Sequence, residues 1–75
     1  MSEIQDKIAE WSGKTFPDGT AITRFTHLKQ EIKKLGEALY EDSSNLDIAD
    51  EIADCMILLI GIAEDCDIDA LNALS

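Results

Sequence analysis

The acidic step Glu51-x-x-Asp54, flanked by Asp47 and Asp50, stands where an apolar segment begins. From Ile48 to Ala63, twelve of sixteen residues are Ile, Leu, Ala, Met or Cys, broken only by Gly61 and three acids. Residues three apart on a helix share a face, so Glu51 and Asp54 project together. A carboxylate at the head of a buried helix needs a partner, because an isolated buried charge costs too much to leave unpaired. Either cationic side chains or a divalent metal would serve. Upstream, Glu31 and Lys34 have the same three-residue spacing. The short loop Glu41-Asp42-Ser43-Ser44-Asn45 makes the two helices antiparallel neighbours, which brings Glu31 towards Glu51 and Asp54. Three or four oxygens meeting at one point suit Mg²⁺, a hard cation that takes oxygen ligands and keeps water or phosphate in its shell.

The elements that must position these acids are all helical. Ser2 to Trp11 reads as a short helix, with Ser2 and Gln5 spaced as a capping box and Ile4, Ile8 and Trp11 on one face. Ser12-Gly13 ends it, and Lys14 to Gly19 is a loop whose Pro17-Asp18-Gly19 is turn chemistry. Ser12-Gly13-Lys14-Thr15 imitates the end of a phosphate-binding loop, but the upstream glycine and preceding strand that motif needs are missing. Thr20 is an N-cap for a long helix to about Tyr40, striped by Ile22, Phe25, Leu28, Ile32, Leu35 and Leu39. The apolar helix follows, from about Leu46 to Asp65. Being apolar almost all round, it is expected to be buried between other helices. Asp67-Ile68-Asp69 then caps a last short helix, with Ile68, Leu71 and Leu74 inward. No strand pattern and no repeat is present. The expected fold is an all-α bundle, two long antiparallel helices with short N- and C-terminal helices, forming one domain over residues 1–75.

Composition narrows the partners. A chain of 75 residues buries only roughly 60–65% of its unfolded surface and needs further support. Cys55 and Cys66, with ten residues between them and no nearby His or Cys, fit no zinc pattern and read as core or near-core thiols in a reducing compartment. Completion of the bundle by self-association, as a homodimer at least, is therefore expected. The net charge of −10, sixteen acids against six Lys and Arg, argues against nucleic acid or an anionic membrane as partner. The polar, acidic start carries no targeting signal, and the apolar run Cys55 to Ala63 falls far short of the roughly 20 residues that span a bilayer. A cytoplasmic protein is expected.

The ordered set Trp11, Thr15-Phe16-Pro17, His27-Leu28-x-x-Glu31 and Glu51-x-x-Asp54 ahead of an apolar helix resembles the MazG-like nucleoside triphosphate pyrophosphohydrolases. It is most similar to their small, phage-type dATP/dGTP branch, and the likeness runs over residues 10 to 70. The family signature is E-E-x-x-E, a spacer, then E-x-x-D. Here Gln30 stands for the first Glu, Glu31 matches the second, Lys34 replaces the third, and Glu51 and Asp54 match the E-x-x-D. The resemblance implies an all-α homodimer or homotetramer, in the host cytoplasm if phage-encoded, that uses Mg²⁺ to cleave a nucleoside triphosphate to monophosphate and pyrophosphate. It implies Glu31, Glu51 and Asp54 as metal ligands, with Glu31 also positioning the attacking water. An ammonium has no lone pair for a metal. Lys34 therefore either contacts a phosphate or forms an ion pair with Glu51 or Asp54.

Three readings follow. The protein is a pyrophosphohydrolase with three carboxylates on Mg²⁺, helped by Asp50; or a nucleotide-binding protein that sequesters its ligand without turnover; or the polar stripe only sets helix register. Trp11 and Phe16 are candidates for stacking on a base, against ordinary core packing for Trp11. His27, Lys14, Lys29 and Lys33 are candidate phosphate contacts, against a structural His and solvated lysines. Glu37 and Glu41 read as a solvent-facing pair, and Met56 with Leu58, Leu59 and Ile60 as core or subunit interface.

Overall fold

The computed structural model describes residues 3–15 and 19–74, Thr15 by its backbone alone. Among them the architecture is all-helical: α1 (Glu3–Thr15), α2 (Ala21–Tyr40), α3 (Asn45–Asp65) and α4 (Ala70–Ala73). The two long helices pack together and α1 packs on α3. Arg24 meets Asp65 while Glu31 lies near Glu51 and Asp54, so α2 and α3 run antiparallel.

Local chemistry accounts for most helix ends. Thr20 caps α2 through a reciprocal box with Thr23, each side chain accepting from the other's backbone N–H. Ser44 accepts from Asp47 N–H at the head of α3, and Asp69 accepts from Asn72 N–H at the head of α4. Between α2 and α3 the chain turns through Asp42 at φ 55°, a left-handed conformation that Asp tolerates better than most residues. The core joins Leu28 of α2 to Cys55 and Leu58 of α3, with Leu35, Ile57 and Ile62 packed around them.

Several expectations are corrected. Helix α1 continues through Ser12-Gly13 to Thr15. Ser12 is fully buried, and its Oγ sits against Gly61 of α3, where a Cβ would lie 2.6 Å from it. Packing at this crossing outweighs the local tendency of Ser-Gly to end a helix. The fully buried Gln5 side chain accepts from Ala70 and Leu71 N–H and donates to Ile68 C=O, tying α1 to the head of α4, and its expected capping box with Ser2 falls outside the described residues. Ser2 lies outside the described residues, as do Phe16, Pro17 and Asp18.

The apolar stripe of α2 is also turned. Leu28 is buried and Leu35 partly so, whereas Ile22, Phe25, Ile32 and Leu39 are exposed. The face laid on α3 instead carries Arg24, Leu28 and Glu31. Nor is α3 covered all round, since Ile52, Met56 and Leu59 face outward. Cys55 is buried but Cys66 is exposed, and Ile68 and Leu74, expected inward, are exposed as well, Leu74 by 84%. Four residues of α4 leave no room for a second turn to fold Leu74 back.

Candidate functional site

The acids singled out by spacing converge. Glu31 from α2 and Glu51 and Asp54 from α3 each bring a carboxylate oxygen to within 4.8 Å of the others. The short connection fixes the antiparallel register, and the three-residue step along α3 puts Glu51 and Asp54 on the flank that meets α2. Mutual spacing on this scale lets oxygen ligands reach a single cation after small side-chain rotations.

Glu31 is the deepest of the three, with 3% of its surface exposed. Its two oxygens have different surroundings. Oε1 lies 3.4 Å from His27 Nε2 and accepts from Lys34 Nζ at 3.3 Å. Oε2 is buried without a hydrogen-bond partner among the described residues, and so is Glu51 Oε2. Buried carboxylate oxygens are costly to leave unpaired. A cation held between them supplies the missing partner, so these residues fit a divalent metal.

The electrostatics agree. Burial, then the charge of Glu31, pushes the Asp54 carboxyl above its ordinary value, with Lys34 opposing and Asp50 reinforcing the effect. The hydrogen bond to Glu31, followed by that residue's charge, raises the Lys34 ammonium, and Glu51 and Asp54 add to it. Burial and the same three acids push the adjacent Cys55 thiol up, which keeps it a neutral core group. The local field is that of clustered anions facing one ammonium.

Other expected site residues lie apart from this cluster. Asp50 is exposed one turn before Asp54 and reaches it through its charge. Trp11, 64% exposed, lines a groove with Ile8, Ala53, Met56, Ile57, Ile60 and Leu71, on a different flank of α3 from Glu51 and Asp54. Lys14 pairs with Glu10 on the surface. Lys29 lies over the Phe25 ring and Lys33 is exposed. Glu37 and Glu41 face solvent, as expected.

One feature below the acids escaped the spacing argument. Arg24 is buried and its guanidinium donates to Asp65, while its Nε and the neighbouring Ser12 Oγ have no hydrogen-bond partner among the described residues. Continuing the antiparallel register from Glu31–Asp54 towards the N-terminus of α2 leads to this pair. The register was therefore the signal that could have found it.

Among the described residues no helix is long and apolar enough to cross a membrane. No family model matches the chain, and no solved structure matches it. The chain is similar to the dATP/dGTP diphosphohydrolase of Salmonella phage PMBT28, at 36% identity over 75 residues, all of this chain and 24% of that protein. It thus spans about a quarter of the length of the relative it matches.

Proposed function

We propose that the chain is a Mg²⁺-dependent nucleoside triphosphate pyrophosphohydrolase, cleaving dATP, dGTP or a related triphosphate to the monophosphate and pyrophosphate. The observation that carries this reading is the pair of buried, unpartnered carboxylate oxygens on Glu31 and Glu51, in a cluster completed by Asp54. The similarity to a phage protein named for dATP and dGTP gives the substrate class.

Glu31, Glu51 and Asp54 would hold the cation. When bound, it would offset phosphate charge and lower the pKa of an attacking water. Glu31, anchored through Oε1 by His27 and Lys34, would also position that water. Lys34, with a side chain 60% exposed, is placed to meet a phosphate oxygen at the rim, and His27 stands one turn away. Asp50 adds negative charge that draws the cation in. Trp11 and Lys14 lie elsewhere on the chain and Phe16 is not described, so the base contact is left unassigned. The exposed apolar residues of α2 and α3 support assembly into a homodimer or homotetramer of this one-domain unit.

Pyrophosphate release from a panel of deoxynucleoside triphosphates tests the proposal. Release is expected with Mg²⁺, highest for the purine nucleotides, and none with a chelator. Tight nucleotide binding that ignores the chelator, with no release from any substrate, would instead make the chain a sequestering protein, the reading that the Lys34–Glu31 pair favours.

A further inference from the structure

Glu31 divides its oxygens between two kinds of partner. Oε1 faces two nitrogen groups, the His27 imidazole at 3.4 Å and the Lys34 ammonium at 3.3 Å. Oε2, like Glu51 Oε2, faces none of the described polar groups at hydrogen-bonding distance. Glu51 and Asp54 each bring a carboxylate oxygen within 4.8 Å of one of Glu31's. The ammonium offsets one of the three carboxylate charges and a single divalent cation the other two, while Asp50 and His27 act on Asp54 more weakly and in opposite senses. A second divalent ion would have to displace Lys34 from Oε1, and it would leave the site with uncompensated positive charge in a partly desolvated place. The Lys34 hydrogen bond to Glu31 already satisfies the oxygen that such an ion would need.

We infer that the protein alone takes one divalent cation at this site, and that Lys34 holds the position a second one would occupy. Lys34 is thus a positioning residue that sets metal stoichiometry through its contact with Glu31. This rests on the reading above that the acidic cluster holds a metal.

The test is Mn²⁺ titration of the full chain without nucleotide, read by electron paramagnetic resonance and calorimetry. Wild type, Lys34→Gln, Lys34→Glu and Asp54→Asn are compared, and the tight sites are those that Asp54→Asn removes. Lys34 is largely exposed, so its variants are expected to keep their helical circular dichroism. Wild type should bind one ion per chain. Lys34→Gln should bind one ion roughly tenfold more tightly, because a like charge beside the cation is gone. Lys34→Glu should bind two, with the line broadening of paired Mn²⁺. Two tight ions in the wild type, or one ion of unchanged affinity in Lys34→Glu, overturns the inference and leaves the metal site standing. No tight ion in either protein overturns the metal site, and this inference with it.

Discussion

Asp54 shows how one residue can couple the site to stability. Its carboxyl is pushed up by burial first and by the Glu31 charge second. Because the folded chain holds the proton more tightly than the unfolded one, this contribution to stability is complete below the ordinary value of 3.8. It is lost as pH rises through the raised folded value. Without metal, Asp54→Asn should therefore melt higher than wild type at pH 7, with the difference shrinking towards pH 3.5. Mg²⁺ binds the ionised form and should stabilise wild type increasingly as pH rises. It should do nothing for the variant. Thermal melts across that range, with and without Mg²⁺, check both signs. An apo difference that grows on acidification would contradict the account of Asp54.

At the scale of the element, the crossing of α1 over α3 is set by Gly61. A Cβ built there would come within 2.6 Å of Ser12 Oγ, 2.8 Å of Arg24 Nε and 2.9 Å of Arg24 Cδ. Arg24 is tied to Asp65 and Ser12 is fully buried, so neither can yield cheaply. Gly61→Ala is expected to destabilise the chain by about 1–3 kcal/mol, the usual cost of overpacking, despite Ala's better helix propensity. Urea unfolding measures it, and a stabilised variant would show that the crossing is looser than described. The same elements show what the sequence could and could not reveal. Thr20 and Asp69 were legible as a cap and a cap region because capping is decided within three residues, whereas Ser44, the observed cap of α3, read only as part of the connecting loop. The convergence of Glu31 with Glu51 and Asp54 was legible because a short loop leaves two long helices one register. The outward turn of Ile22, Phe25, Ile32 and Leu39 was not. An apolar stripe records that a face wants cover, and it does not say whether the same chain supplies it. The role of Gln5 was equally hidden, since its partners lie 63–66 residues away, whereas the Arg24–Asp65 pair follows from extending the register of α2 against α3.

Across the whole molecule, the chain leaves large apolar side chains uncovered: Ile52, Met56 and Leu59 on α3, with Trp11 and Leu74 nearby in sequence elements that border the same grooves. The net charge of −10 makes copies repel one another, yet burying such surface against another copy is favoured by about 25 cal/mol per Å². Light scattering should find an assembly larger than one chain, and Met56→Glu should reduce it to the monomer while leaving the acidic cluster, on another flank of α3, able to bind Mn²⁺. A monomeric wild type at all concentrations would remove self-association from the account. The central claim concerns the acids themselves: that Glu31, Glu51 and Asp54 receive triphosphate through a divalent cation. Calorimetric titration with a non-hydrolysable dATP or dGTP analogue tests it most directly. Binding should require Mg²⁺ and vanish in Asp54→Asn; binding of equal strength with chelator present, or in that variant, would contradict it.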